Sequence, residues 1–384
     1  MKNIQYACLS YLFLVFSCQK SDKNEHQINS SFTIEKAGIL SFSVSPSSTN
    51  FSKYLQYYME EDQEYLVCAN TNNYTIEVYS FSQKKKIHSY KLPMQGKIGL
   101  SYPQIFGFYM FNFDSVFVNS YNRPSLLLLN KNSEVISSKL IDIGSLESQL
   151  VPLSNRPNFH YNQKLIVGAH PSAPYGKQFW TAPLYYTYDL ETDFFDRSTA
   201  DSFIDTEGYY GAFHTHHSYT INKKDGLIIH NITYDKNLYV RNLNTGDIIK
   251  EVIAPSQYFA EIPPLMKDGG TANGGDQDFY INNNSYKSIL WDPYKKVYYR
   301  FAERGVELKD INGQFNTWND KLVSVIILNE DFEIVGETDL PQSRYRISNS
   351  FVGEDGLYIS TSNEKNSDYS EDIMSFDIFK LKEG

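Results

Sequence analysis

The chain has 384 residues, with 45 acidic and 35 basic side chains and a formal net charge of −10. This acidic balance argues against a nucleic-acid-binding protein, because neutralising phosphates requires a basic surface. A content of 41% hydrophobic and 15% aromatic residues excludes a disordered chain. The many Tyr and Phe residues favour β-sheet over helix, and the length allows either two domains or one long all-β unit.

The first seventeen residues have the pattern of a signal peptide. Lys2 precedes a largely apolar run over 6–16, which is too short to span a bilayer as a helix of the mature protein. Residues 14–18 read LVFSC and resemble a bacterial lipobox, with an aliphatic residue at −3 and a small residue at −1. The resemblance implies cleavage over 1–17 and lipidation of Cys18. The alternative is ordinary cleavage near Ser17, which leaves the cysteine unmodified.

The segment after the lipobox predicts a tether. Residues 18–33 are polar and lack apolar periodicity, so we expect a flexible linker between Cys18 and the folded domain. Cys68 has no predicted disulfide partner, because Cys8 lies in the signal peptide. Its apolar surroundings, YLVCA, predict a small core residue rather than a nucleophile.

A strand, a polar turn and a second strand recur along the whole chain. The clearest copies are LYYTYDLETDFFDRS at 184–198 and LYVRNLNTGDIIKEV at 238–252. Their spacing is typical of a four-stranded propeller blade of about 40–50 residues, and two more alternating strands precede each copy. The sequence therefore predicts an all-β fold, a single six-bladed β-propeller domain over 34–384. The blades are predicted at 52–93, 103–142, 157–204, 211–255, 285–340 and 345–384.

The last predicted blade has only three strands of its own. Residues 38–46, GILSFSVSP, form an apolar-polar strand with no neighbouring partner, and we expect this N-terminal strand to complete the last blade. Such a closed ring would cover edge strands that otherwise invite aggregation. The alternative fold is two unrelated β-sandwiches, which leaves the repeat unexplained.

The lipobox, the blade turns around Glu191 and Asn244 and the Tyr/Asn-rich composition together resemble a known family. They are similar to the uncharacterised lipoproteins of Bacteroides-type bacteria that carry a six-bladed β-propeller. This resemblance covers the whole chain and implies an outer-membrane, lipid-anchored protein on the periplasmic or cell-surface face. It carries no established activity, so it implies location and fold rather than chemistry.

The segment FHTHH at 213–217 is the most suggestive cluster of chemical groups. On a strand, His214 and His216 would share one face about 6.5–7 Å apart. Two such imidazoles could hold a divalent metal, with His170 or His160 as a third ligand. A metal-assisted hydrolase or lyase at the channel mouth would follow from that site. The alternative is a set of polar or hydrogen-bonded histidines without metal, and no other cofactor is predicted.

Basic and aromatic residues stand out in the predicted loops of one propeller face, against the acidic background. Two arginines lie in Asn-Arg-Pro triplets, where we expect the proline to stiffen the loop and leave the arginine in solvent. Such side chains around a pocket suit a sugar, an anionic ligand or a peptide. The alternative is scattered surface charge. The predicted ligand-binding residues are Arg123, Arg156, Trp180 and Arg344, and Lys177, Arg304, Trp318 and Arg346 lie in the same loops.

The Gly-rich segment 260–283 predicts a loop that serves as a lid, although Asp276 and Asp278 could also donate oxygens to Ca²⁺. The sequence lacks a nucleophile elbow, a phosphate-binding loop and a zinc pattern. The predicted function is therefore a lipid-anchored binding or scaffold module rather than an enzyme. Its predicted partners are a membrane, reached through the anchor, and a glycan, a peptide or an envelope protein.

Replacing Cys18 by alanine should release the protein from membranes, because buried acyl chains bind a bilayer with about 0.8 kcal/mol per CH₂. Fractionation of the producing cells measures the effect, and Cys68→Ala serves as the cysteine control. Membrane association that persists in Cys18→Ala contradicts the lipidation prediction.

Overall fold

The structure is a computed structural model that describes most of the chain after residue 30. Within the described residues nearly all regular structure is β-strand, which confirms the predicted all-β class. No helix in this part of the chain is long and apolar enough to cross a membrane. The described ranges are 31–96, 99–100, 106–120, 125–141, 148–171, 182–196, 210–265 and 275–384.

The described strands fall into six groups along the chain, with β1 (Phe32–Ser43) joining the last of them. Group 1 contains β2 (Leu55–Glu60), β3 (Gln63–Asn70), β4 (Thr75–Ser80) and β5 (Lys85–Lys91). Group 2 contains β6 (Phe106–Asn112), β7 (Ser115–Ser120), β8 (Ser125–Leu129) and β9 (Val135–Leu140). Group 3 contains β10 (Ser148–Leu150), β11 (Phe159–Tyr161), β12 (Lys164–Pro171), β13 (Tyr185–Asp189) and β14 (Phe194–Asp196).

The second half of the chain continues the pattern and adds two short helices. Group 4 contains β15 (His217–Asn222), β16 (Leu227–Ile232), β17 (Asn237–Asn242) and β18 (Ile248–Ile253). Group 5 contains β19 (Ser285–Asp292), β20 (Val297–Arg304), β21 (Leu322–Asn329) and β22 (Ile334–Asp339). Group 6 contains β23 (Arg346–Gly353), β24 (Gly356–Ser360), β25 (Ile373–Glu383) and β1. Helix α1 (Gly275–Asn282) precedes β19, and a 3-10 helix (Trp318–Asp320) precedes β21.

The strand pairs within each group are antiparallel, and groups 1, 2, 4 and 5 lie within the predicted blade segments, whereas β10 of group 3 begins before residue 157 and β1 of group 6 lies outside 345–384. In group 3, β10 and β11 pair with opposite ends of β12. A single parallel pair between Ser43 and Lys85 joins groups 1 and 6 into one eight-stranded sheet, so the described strands form five sheets.

The recurring turn has a common physical basis in an Asn or Asp at the end of a strand. Asp189 Oδ1 accepts hydrogen bonds from the amides of Glu191 and Thr192 at 3.0 and 2.8 Å. Asn242 Oδ1 accepts one from the amide of Asn244 at 2.8 Å. Because these side chains replace the backbone partners that a tight turn leaves unmet, the polar residue itself sets the turn that recurs in the sequence.

The apolar core lies between consecutive groups. Tyr54, just before β2, packs on Phe108 of β6 with ring centroids 4.8 Å apart, between groups 1 and 2. Between groups 6 and 1, Tyr57 stacks on Phe351 at 5.9 Å. Each pair of neighbouring groups shares a cluster of this kind in the described structure. The abundant aromatic side chains therefore fill the space between sheets, where each buries a large apolar area.

A buried arginine ties group 5 to group 4. Arg300 on β20 donates from Nε to Asn231 Oδ1 at 2.8 Å. Its Nη1 donates to the carbonyls of Lys236 and Ala254 at 2.7 and 2.6 Å. The guanidinium carbon lies 3.6 Å from the ring centroid of Tyr286. The charge is thus shared by neutral oxygens of the adjoining sheet and by a ring of its own sheet.

The N-terminal strand completes group 6. β1 pairs antiparallel with β25, from Phe32 opposite Glu383 to Ser43 opposite Ile373, with a bulge after Lys36. The prediction that such a strand pairs with the last strand is confirmed. The strand begins six residues before the predicted start and ends three residues before the predicted end.

One buried carboxylate holds β1 to the rest of group 6. Asp377 on β25 lies 2.8 Å from Lys36 Nζ through Oδ1 and 2.8 Å from Arg344 Nε through Oδ2. Tyr345 Oη donates to the same Oδ2 at 2.8 Å. Burial alone would raise the pKa of Asp377, but these donors hold that pKa below its ordinary value.

Asp377→Asn should lower the free energy of unfolding by about 2–3 kcal/mol, because the amide removes the charge that Lys36 and Arg344 share. Chemical denaturation at neutral pH tests this expectation. Asp355→Asn is the matched control, since Asp355 is exposed and lies 3.8 Å from Lys380. For Asp355→Asn we expect the free energy of unfolding to change by less than about 0.5 kcal/mol. Equal effects of the two substitutions contradict the assignment.

The stability should also depend on pH through Asp377. Its folded pKa lies below the unfolded value of about 3.9, so the stabilisation is fully present above about pH 5. It is lost as the pH falls through the lowered folded pKa. Denaturation curves of the wild type and Asp377→Asn should therefore converge towards acid pH. A gap that stays constant down to about pH 2 contradicts this role.

Candidate functional site

A cavity of about 550 Å³ lies among the segments that lead into the first strands of several groups. The segment between β20 and β21 adds a further wall. The volume falls in the range of pockets that enclose a small organic ligand. The lining residues are Phe51, Ser52, Lys53, Leu153, Ser154, Asn155, Phe213, His216, Thr233, Lys287, Glu303, Trp318, Asn319, Lys321, Val323, Pro341, Ser343, Tyr345, Arg346, Ile347 and Ser348.

A buried carboxylate anchors one wall of the cavity. Glu303 on β20 accepts hydrogen bonds through Oε2 from Tyr280 Oη at 2.6 Å and Ser285 Oγ at 2.8 Å. Lys321 Nζ lies 3.6 Å from the same oxygen. Burial alone would raise the pKa of Glu303, but Lys321 and Lys287 hold that pKa below its ordinary value. Glu303 is therefore an ion at neutral pH.

The ammonium group of Lys321 is saturated with partners. Its Nζ donates to Ser285 Oγ at 2.6 Å and to the carbonyl of Tyr280 at 3.0 Å, in addition to its ion pair with Glu303. It also lies 4.0 Å from the ring centroid of Tyr280. Burial lowers the pKa of Lys321 to about 8, against the opposing effect of Glu303. Lys321 thus holds the wall together.

Lys287 on β19 is engaged much less. Among the described residues its Nζ has one hydrogen-bond partner, Tyr280 Oη at 2.9 Å, and it lies 5.0 Å from the ring centroid of Tyr280. Burial disfavours its charge, but Tyr280 and Glu303 raise the pKa of Lys287 above its ordinary value. An ammonium carries three N–H donors. An ammonium group therefore lines the cavity with N–H groups that have no hydrogen-bond acceptor among the described residues.

Aromatic rings and a further cation line the rest of the cavity. The rings of Phe213 and Trp318 lie 6.1 Å apart, and Trp318 is 42% exposed. The guanidinium carbon of Arg346 lies 4.0 Å from the ring centroid of Phe51. These flat groups offer faces on which a ring-shaped ligand can stack.

Helix α1 and the turn before β15 position part of this wall. Tyr280 lies on α1 and packs on Phe213 with ring centroids 5.7 Å apart. The amide of Ala212 donates to Asp276 Oδ2 at 3.0 Å, which fastens the first turn of α1 to the segment that carries Phe213. The expectation of an irregular lid is therefore wrong for 275–282, where Asp276 lies in a helix rather than in a Ca²⁺ loop.

A row of three side chains leads from the interior to the cavity. Arg156 Nη1 lies 2.9 Å from His170 Nδ1, so that nitrogen accepts and the imidazole proton resides on Nε2. The rings of His170 and His216 stack with centroids 5.1 Å apart. Burial, with Arg156 nearby, lowers the pKa of His170 to about 3 and that of His216 well below its ordinary value. Both imidazoles are therefore neutral at neutral pH.

The structure corrects the expected exposure of one predicted arginine and gives the partners of another. Arg156 is 1% exposed, so the expectation that Asn-Arg-Pro presents it to solvent is wrong, and its guanidinium turns inward to His170. Arg344 is held by Asp377 and Asp368 rather than projecting free from its loop. Their roles in ligand binding stay predictions. Cys18, Arg123 and Trp180 lie outside the described residues.

The expected strand alternation of the histidine pair is also wrong, because 212–215 form a turn. His214 Nε2 contacts the carbonyl of Asn284 at 3.0 Å, while His216 stacks on His170. No group of three or more His, Cys, Asp or Glu side chains in the described ranges is placed to hold a metal ion. A metal role for His214 and His216 stays a prediction.

Sequence reasoning missed the two cavity lysines. Lys287 interrupts the strand pattern SYKSIL, and Lys321 directly precedes the strand LVSVIILN. The signal that could have found Lys287 is a charged residue within a strand that is otherwise apolar or small. Trp318 and Arg346, singled out as loop residues, both line the cavity.

Comparisons with known proteins place the chain in a family. The model of a domain of unknown function, DUF4221, matches residues 29–339. A crystal structure of a DUF4221 member from Bacteroides vulgatus is 25% identical, with a TM-score of 0.76, over 93% of this chain and 100% of that one. A Bacteroides fragilis protein to which export is attributed is similar in fold, with a TM-score of 0.52 and 10% identity over 93% of this chain and 96% of that one. No curated protein matches the sequence. The chain belongs to the DUF4221 family, whose function is unknown.

Proposed function

We propose that this protein is a ligand-binding module of the cell envelope and that its ligand binds in the cavity. The observation that carries the proposal is the chemistry of the lining in an acidic chain. Four lining side chains are Lys or Arg and one is acidic, and aromatic rings stand beside them. A few charged groups among aromatic surfaces are typical of a pocket that orients a small polar ligand.

The setting that we propose for the site is one closed six-bladed propeller over 34–384, in which the six strand groups are the blades. Contacts between strands of consecutive groups support this order, since β2 contacts β6, β6 contacts β11, β15 contacts β19, β19 contacts β23 and β23 contacts β2. Tyr219 of β15 packs on Phe159 of β11 and supports the remaining link. In such a ring the cavity opens at the mouth of the central channel.

The proposed location is the outer membrane, with attachment through acyl chains on Cys18 and a tether that reaches the first strand. The signal-peptide pattern supports it, as does the fold similarity to the Bacteroides fragilis protein to which export is attributed. On this proposal the ligand is a glycan, a peptide or part of an envelope protein.

Trp318→Ala should weaken the binding of a cavity ligand about fivefold or more, because truncating an aromatic hot-spot residue costs more than about 1 kcal/mol. Glycan and peptide arrays probed with the full-length protein in detergent identify the ligand, and titration calorimetry measures its affinity. Phe315→Ala is the matched control, since Phe315 is 72% exposed in the same segment and does not line the cavity. A ligand that both variants bind as tightly as the wild type rules out the cavity as its site.

A further inference from the structure

We infer that the cavity takes an organic anion and that Lys287 holds the negative charge of this ligand. The inference rests on the proposed function, because it names the chemical class of the ligand for the same cavity. Three features support it: the charge balance of the wall, the positive potential behind the wall, and the rings that line the remaining space.

The wall carries one more positive than negative charge. Oε2 of Glu303 already accepts hydrogen bonds from Tyr280 and Ser285 and faces Lys321. Lys287 meets this carboxylate through the hydroxyl of Tyr280, which accepts from Lys287 and donates to Glu303. Within the part of the chain that the structure describes, Lys287 therefore has no carboxylate of its own.

One carboxylate neutralises only one of the two ammonium groups beside it, and an anion in the cavity would supply the negative charge that the wall lacks. The N–H groups of Lys287 that have no acceptor would donate hydrogen bonds to this anion. Such charge-assisted hydrogen bonds are stronger than hydrogen bonds between neutral groups. Lys321 cannot serve in this way, because Ser285, Tyr280 and Glu303 occupy its ammonium group.

Arg156 adds positive potential from behind the cavity. It is fully buried, and its hydrogen bond in the described structure goes to the neutral imidazole of His170, while its Nε has no partner there. Its charge acts on His216, a lining residue, and contributes to the low pKa of that imidazole. Lys53 and Arg346 extend the positive surface within the cavity. The net charge of the lining therefore favours an anion over a cation.

The aromatic residues of the lining and the volume of the cavity limit the shape of the ligand. Phe213 and Trp318 present ring faces beside the charged wall, and a cavity of about 550 Å³ is the size for a small molecule or the end of a chain. The class that fits is a ring-bearing acid, such as a sugar that carries a carboxylate or a phosphate.

Titration calorimetry with the full-length protein in detergent tests the inference with three probes, glucuronate, glucose 6-phosphate and glucose. We expect at least one of the acids to bind about tenfold or more tightly than glucose. Lys287→Met should abolish that preference and change the affinity for glucose less than about twofold. Lys295→Met is the matched control, because Lys295 is an exposed lysine at the turn between β19 and β20, and it should keep the preference. A stronger response to glucose 6-phosphate than to glucuronate assigns a phosphate group, and the reverse assigns a carboxylate.

Thermal denaturation gives a second readout that does not depend on a sugar. Without ligand, Lys287→Met should have a somewhat lower Tm than the wild type, because Tyr280 and Glu303 stabilise the charged form of Lys287 in the fold. Inorganic phosphate should raise the Tm of the wild type more than that of Lys287→Met, because only the wild type binds the anion. A large fall in Tm for Lys287→Met, with the same phosphate response in both proteins, assigns Lys287 to folding and overturns the inference.

Failure of the inference and failure of the proposed function give different results. If acids and glucose bind with equal affinity and Trp318→Ala abolishes this binding, the inferred preference for an anion is wrong, but the ligand still binds in the cavity. If Trp318→Ala changes the affinity for no acid, neutral sugar or array ligand, the proposed function is wrong as well.

Discussion

The carboxylate of Glu303 sets the arrangement of the cavity wall, because a buried ion must meet its partners wherever the fold can supply them. Those partners come from different elements: Tyr280 from α1, Ser285 from β19 and Lys321 from the start of β21. One charged group therefore fixes the mutual positions of a helix and two strands beside its own. Since one carboxylate serves two lysines, the wall that results is positively charged.

The same requirement operates wherever neighbouring groups meet. Arg300 reaches from β20 to carbonyls of group 4, and Asp377 draws Lys36 and Arg344 together across group 6. Apolar burial supplies most of the driving force for sheet packing but is not directional. Hydrogen bonds to buried charges are directional, and each would be left unsatisfied by a shifted arrangement. The aromatic clusters thus hold the sheets together, and the buried ions determine the positions of the sheets relative to one another.

The strand groups could be predicted because their signals are local. The recurring turns depend on a polar side chain at the end of a strand, such as Asp189 or Asn242, and the strands depend on alternation along a few residues. The partner of β1 could also be predicted, since a group with three strands leaves an edge that needs covering.

The site could be predicted only in part, because it depends on contacts between distant segments. Trp318 and Arg346 were recognisable as unusual loop residues. The inward turn of Arg156 depends on His170 lying beneath its loop, and the importance of Lys287 depends on Tyr280 and Glu303. No local pattern contains that information. His214 shows the reverse error, since a strand-like alternation of residues occurs there in a turn.

The pairing of β1 with β25 has a consequence for the order in which the chain assembles. The hydroxyls of Ser41 and Ser375 lie 2.9 Å apart in space and 334 residues apart in the chain. Within the described residues the other groups pair strands that lie much closer together in the chain. Bringing such distant segments together is entropically more costly than closing a hairpin. We therefore expect the completion of group 6 to be a late step of folding.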